Sequence, residues 1–163
     1  MDDKELLTKR FIMVGMDDAS ISTDDKYIIG TEALATCTGV LLYSERTKRA
    51  IVAHVSSDYI ETIDKVFNLV IENKLYGEKL KYAIICGTDR NAHDYYGIIN
   101  ILSEHFKEYI PFSDEIVSAG VVLDTDTYSN QFAFDATNGK FVSDKVLFGL
   151  DYYSLNSNVN KGR

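Results

Sequence analysis

The feature that most constrains the fold is a pair of apolar runs separated by a short charged break. Residues 34–43 read LATCTGVLLY and residues 50–55 read AIVAHV, with ERTKR between them. Both runs are rich in β-branched and aliphatic residues, as expected of strands buried in a sheet. A polar break of that length between two such runs predicts a β-hairpin over residues 34–55. Cys37 sits early in its outgoing strand and His54 late in its return strand.

The rest of the chain adds alternating elements around this hairpin. Residues 1–9 are charged and read as a loose tail or short helix, and RFIMV at 10–14 reads as a strand. Residues 16–25 are polar and turn-rich apart from a short ASIS segment, and Tyr27, Ile28 and Ile29 form another apolar run. Ser56 or Ser57 offers an N-cap, with Asp58 and Glu61 in the turn that follows. Ile60, Ile63, Phe67, Val70 and Ile71 recur at helical spacing and predict an amphipathic helix over 58–74. YAIIC at 82–86 suggests a central strand, and residues 87–90 a loop. Tyr95, Ile98, Ile99, Leu102 and Phe106 mark a second helix that ends before Pro111. Downstream, EIVSAGVVL, NQFAF and FVSDKVL are strand-like, and Asn138-Gly139 is a hairpin-turn signal. Residues 156–163 are polar and read as a frayed tail. Strands, a helix, a strand, a helix and more strands make an α+β (mixed α/β) fold. No repeat or linker divides the 163 residues, so a single domain over 1–163 is expected.

Charge narrows the function. The chain holds 17 Lys and Arg against 25 Asp and Glu, a net charge of −8. Phosphate binding needs clustered Lys and Arg, so nucleic acid is not an expected partner. The one basic cluster, Arg46, Lys48 and Arg49, falls in the hairpin break and reads as a solvated turn. No apolar run is long enough to span a bilayer, so membrane insertion is not expected. MDDKELLTKR carries no signal-peptide core, so the expected location is cytoplasmic, although a signal read by a specialised secretion apparatus escapes such a reading. In that setting Cys37 and Cys86 are expected as free thiols. No CxxC or Cys/His cluster points to a metal.

Cys37 and His54 suggest chemistry. A thiol becomes a useful nucleophile when an imidazole can take its proton. Neighbouring strands lie about 5 Å apart, so side chains on adjacent strands can touch. With the turn centred near Thr47, Cys37 is ten residues before it and His54 seven after. That offset asks for a bulge or a wide loop to bring the pair into register. A lone Cys in an apolar strand is ordinarily a small hydrophobe, and a lone His at a strand end ordinarily a surface or capped residue. Spacing alone leaves both readings open.

Longer motifs weigh in. Val14-Gly15-Met16, Thr31 six residues before Cys37, and His54 seventeen after it form an ordered set. YAIICG at 82–87 and FDATNGKFV at 134–142 continue it. Over about residues 10–147 the chain resembles the bacterial chemoreceptor glutamine deamidase family, CheD. That family has a VGM-like opening, a threonine before a GSC-type cysteine, a strand ending in histidine, and a C-terminal FDT-x-TGKV hairpin. The same Cys–His arrangement recurs in glutamine-deamidating toxins, the cytotoxic necrotising factors and the Burkholderia lethal factor. Where the family has a glycine-rich approach to its cysteine, this chain has Glu32-Ala33-Leu34-Ala35-Thr36. Where it has paired glycines before its histidine, Ile51-Val52-Ala53 stand here. The basic, glycine-rich stretch before its last hairpin is here residues 125–130, TDTYSN.

The resemblance implies a layered sandwich of β-sheets with two main helices packed on the sheet. It implies a protein-glutamine deamidase with Cys37 as nucleophile, His54 as base and Thr31 orienting His54. Backbone N–H groups of Thr36 and Cys37 would serve as oxyanion donors. It implies no metal or organic cofactor. The partner would be a protein with an exposed glutamine, either a chemoreceptor or, for a translocated effector, a host protein; a catalytically silent binding module with the same fold is a further alternative. The remaining candidates read as structural. Cys86 suits a core strand, and His93 and His105 suit helix ends. Asp124, Asp126 and Asp135 flank turns without calcium-loop spacing.

Overall fold

The computed structural model describes residues 3–56, 59–76, 80–86 and 131–142, with helical positions at 100, 101 and 104. The fold is α+β, as the element order predicts. A short helix α1 (Asp3–Arg10) leads into β1 (Phe11–Met13), β2 (Asp18–Ile21) and β3 (Ile28–Thr31). The hairpin strands are β4 (Thr38–Ser44) and β5 (Arg49–Val55), followed by α2 (Tyr59–Glu72) and β6 (Lys81–Cys86). β7 (Phe132–Asp135) and β8 (Lys140–Phe141) close the described chain. The strands form two four-stranded sheets, ordered β1-β3-β7-β8 and β2-β5-β4-β6. All pairings are antiparallel except β1 with β3.

The hairpin is buried on both faces because alternate side chains enter two different cores. Val40, Leu42, Ile51, Ala53 and Val55 pack against Ile63, Val66, Phe67 and Val70 of α2. Leu41, Tyr43, Ala50 and Val52 face the other way and meet Ile12, Ile29, Phe132 and Phe134 of the second sheet. The order of layers is therefore sheet, sheet, helix. Near-continuous apolar runs in β4 and β5 are what such double burial demands.

The four-residue turn 45–48 sets the register. Ser44 Oγ accepts from the Thr47 N–H and hydroxyl at 3.2 and 2.8 Å, and Lys48 adopts φ 57°. The register pairs Gly39 with His54 and Thr38 with Val55, with no bulge. This corrects the expected centre at Thr47. Moving the centre by half a residue swaps which side chains share a face, and it puts positions 37 and 54 on the same one.

Several sequence expectations need adjustment. Of the two readings of the N-terminal segment, loose tail or short helix, the helix is the one observed. Ala19, Ser20 and Ile21 of the ASIS segment lie in β2, an edge strand beside β5. On α2, Ile60 and Ile71 are exposed, and Val66 takes a core place instead. Helix α2 ends where Lys74 turns to φ 56°. The Leu75 N–H then reaches the Val70 carbonyl at 2.9 Å and the Lys74 N–H that of Ile71 at 3.1 Å. Those two bonds are a Schellman closure, and buried Leu75 is its apolar lock. Of the second predicted helix, Ile101 packs against the α2-side core although it was not among the periodic residues. His93, His105, Asp124, Asp126, EIVSAGVVL and residues 156–163 lie outside the described residues, as does most of FVSDKVL. Among the described residues no helix is long and apolar enough to cross a membrane.

Candidate active site

Four segments converge at one end of the inter-sheet layer. The first is residues 14–17, between β1 and β2. The others are the end of β3, the turn before β4, and the end of β5. His54 points into this layer, since it shares the face of Ala50 and Val52 on β5. Its register partner on β4 is Gly39, which presents no side chain. A Cβ at position 39 would run into the Phe132 ring from the opposite sheet. Gly39 thus lets the sheets close at the level of His54.

Thr31 joins His54 across the two sheets. Its hydroxyl donates to the Val14 carbonyl at 2.8 Å and lies 2.7 Å from His54 Nδ1. A hydroxyl has one proton, and a carbonyl can only accept. The proton on Thr31 Oγ1 is therefore committed to Val14. Toward His54 the Thr31 oxygen must accept, so Nδ1 carries the ring proton and Nε2 is left with its lone pair. That nitrogen is buried and makes no hydrogen bond among the described residues. Burial also lowers the His54 pKa, partly offset by the charge of Asp17. The imidazole is thus held neutral with its basic nitrogen exposed to the layer.

Cys37 occupies the turn just before β4. It is buried in the inter-sheet cluster beside Leu34 and Leu41. Gly39 stands opposite His54, so Cys37 is its diagonal neighbour on the same face. Such diagonals span roughly 7–8 Å in a regular pair, which fits the absence of a thiol–imidazole hydrogen bond. Burial pushes the Cys37 pKa up; a Thr36 hydrogen bond pulls it down, and the Asp17 charge raises it further. The resting pair is a neutral thiol and a neutral imidazole.

The approach to Cys37 is a tight turn. The Cys37 N–H donates to the Leu34 carbonyl, so one of the two expected oxyanion donors is engaged in the chain itself. Thr36 is exposed beside it. Ala33 adopts φ 57°, a left-handed conformation that favours glycine. The backbone path is thus one glycine would take, at a position where this chain carries alanine.

Residues 14–17 also bear on the site in ways the sequence reading missed. The Asp17 N–H donates to the His54 carbonyl at 2.7 Å. Its Oδ1 accepts the Ser56 N–H at 3.1 Å and the Ser56 hydroxyl. The contact lies 39 residues apart in sequence, and no local pattern announces it. Cys86 lies at the end of β6, in register with Thr38. No group of His, Cys, Asp and Glu that could hold a metal occurs among the described residues. No family model matches the chain, and no curated protein matches it.

Proposed function

We propose that the chain is a cysteine-dependent protein-glutamine deamidase, a divergent relative of the chemoreceptor glutamine deamidases. The carrying observation is the relay from the Val14 carbonyl through Thr31 to His54 Nδ1, which leaves Nε2 as a buried base on the face shared with Cys37.

The chemistry follows from a neutral pair. As a glutamine side chain enters, Cys37 swings toward His54. Nε2 takes the thiol proton while Sγ bonds to the carboxamide carbon and the carbonyl electrons move to oxygen. The resulting imidazolium then protonates the amide nitrogen. The C–N bond breaks, ammonia leaves and a thioester remains. Water loses a proton to Nε2 and adds to the thioester carbon. Cys37 departs and recovers its proton, and the product is glutamate. The balance requires water alone. Thr31 keeps Nε2 unprotonated at the start of each half-reaction, the orienting role that a third residue plays in hydrolase triads. The Cys37 N–H can serve the oxyanion once the turn from Leu34 opens, a term worth roughly 3–4 kcal/mol per donor.

The substrate is a protein with an exposed glutamine, a chemoreceptor or a host protein. Alanines in place of the approach glycines fit a target other than the usual chemoreceptor. A catalytically silent binding module draws support from the engaged Cys37 N–H and the absent thiol–imidazole bond. Incubating a lysate with wild type and with Cys37→Ala separates the readings. Mass spectrometry should find Gln-to-Glu conversion on particular proteins with wild type alone, accompanied by ammonia. Conversion by neither protein, with substrates from both classes present, would favour the silent module.

A further inference from the structure

His54 has a neutral partner on its ring, so the source of support for its positive charge lies elsewhere. Thr31 holds Nδ1 through an uncharged oxygen. Hydrolase triads commonly place a carboxylate there. In the deamidation above, the imidazolium exists between thiol deprotonation and ammonia departure, inside a buried layer that disfavours it.

Asp17 is the residue built into the backbone around His54. It adopts φ 59°, a left-handed conformation uncommon outside glycine, asparagine and aspartate. That conformation turns its N–H onto the His54 carbonyl at 2.7 Å. The same residue's carboxylate clamps Ser56 through the N–H at 3.1 Å and the hydroxyl. The end of β5 is thus fixed on both sides of Val55, where its pairing with β4 ends. The Asp17 carbonyl in turn receives the Lys65 ammonium of α2 at 3.0 Å. The neighbouring carboxylate of Asp18 is committed to the Ala19 N–H at 2.8 Å and lies 3.8 Å from Lys65. Among the described residues, Asp18 is in register with His54 on β2, Cys37 is diagonal to it on the hairpin, and Lys65 of α2 is held by the Asp17 carbonyl beside Asp18.

We propose that Asp17 is a positioning residue for His54: it anchors the end of β5 and supplies the fixed negative charge that the imidazolium meets during turnover. This rests on the deamidase reading for its catalytic consequence, but not for its effect on the ring. Burial is the larger influence on His54 and Cys37, lowering the first and raising the second, and the Asp17 charge raises both.

The test compares wild type, Asp17→Asn and Ser56→Ala. Asparagine tolerates the left-handed backbone and can still accept from Ser56, so it removes chiefly the charge. His54 ring protons followed by NMR should titrate at lower pH in Asp17→Asn than in wild type, and the Cys37 alkylation profile should move the same way. Molar salt should shift the wild-type titration in that direction by screening the same charge. Ser56→Ala should leave the titration in place. On a glutamine substrate, kcat of Asp17→Asn should fall about tenfold with KM unchanged. A His54 titration that coincides in wild type and Asp17→Asn, and that does not move with salt, overturns the inference whatever the activity. Shifted titrations with no ammonia released by wild type would defeat the deamidase reading and leave the hold of Asp17 on His54 standing.

Discussion

The two faces of the β4–β5 hairpin use the same strands for opposite ends. The face toward α2 is filled by Val40, Leu42, Ile51, Ala53 and Val55, and its charged residue, Arg49, stands at the turn end, paired with Asp24. The face toward the second sheet is apolar at its centre but ends in Cys37 and His54, with Thr31 reaching across. At its other end Tyr43 donates to the Ala136 carbonyl at 2.7 Å, and its ring meets Phe134 edge-on at 4.8 Å. A helix seals one face along its length. Two sheets packed face to face leave ends of the layer where polar groups find backbone partners. Stability and chemistry can therefore be separated by the parity of a residue's position.

The largest expected effect tests that separation directly. Cys37→Ala should abolish deamidation, a loss of at least about a thousandfold, because no other group there can form the thioester. Its urea midpoint should stay close to wild type. Leu42→Ala, on the other face, should cost about 2–5 kcal/mol of stability through the cavity it leaves. Activity per folded molecule should survive. If Leu42→Ala silences folded protein as completely as Cys37→Ala, the two faces are not separable.

Thr31→Val is the next sharpest probe, because it breaks two bonds at once. The Val14 carbonyl and the His54 Nδ1–H would both lose their partner inside the layer. Each orphaned group costs about 1–3 kcal/mol, so stability should drop by about 2 kcal/mol or more, beyond what one lost bond would give. Turnover should fall further still as the ring loses its tautomer. Thr31→Ser should restore most of both. A Thr31→Ser protein as poor as Thr31→Val would mean that the methyl group, rather than the hydroxyl, holds the site.

The pH dependence of stability should likewise come from one face. Burial holds the folded pKa of His54 below its ordinary 6.5. Its contribution is therefore complete above that value. It is lost as pH falls from there toward the folded pKa, because the unfolded chain takes up a proton that the native protein refuses. Chemical denaturation from about pH 8 to about pH 5 should show the decline, and His54→Gln should flatten it. An unaltered slope in that variant would assign the decline to other groups.

The smallest effect compares two left-handed residues. Lys74→Gly, at the Schellman closure of α2, and Ala33→Gly, before Cys37, should each stabilise by about 0.5–1 kcal/mol. Only Ala33→Gly should also change the rate of Cys37 alkylation, since only that loop frames the thiol. Equal alkylation rates in all three proteins would remove Ala33 from the approach.

What the sequence made legible follows from locality. The hairpin, α2 and β6 were readable because apolar periodicity and turn residues sit within each element. The Cys37, His54 and Thr31 set was reached through the resemblance of an ordered group of motifs to the chemoreceptor deamidases, since spacing alone left it open. The register was not readable. Glu45, Arg46, Thr47 and Lys48 carry no residue that marks the turn centre, and a half-residue error turns His54 to the wrong face. The burial of Val66 rather than Ile60 depends on where β2 and β5 cross beneath α2. Val14 acts through its backbone carbonyl, and the Asp17 carboxylate reaches Ser56 across 39 residues, so no local pattern gives a sign of either.

The relay also has a history in time. Val14 and Thr31 are 17 residues apart, and Thr31 and His54 are 23. Gly39 is covered by Phe132, which is made only after most of the chain has left the ribosome. Contacts this distant in sequence form late, since the loops between them must close first. Cys37 and His54 share one local hairpin, but Thr31 fixes the His54 ring only when the second sheet docks. A chain truncated before β7 should therefore lack the His54 ring orientation that the proposed chemistry needs, and its Cys37 should alkylate no faster than free cysteine.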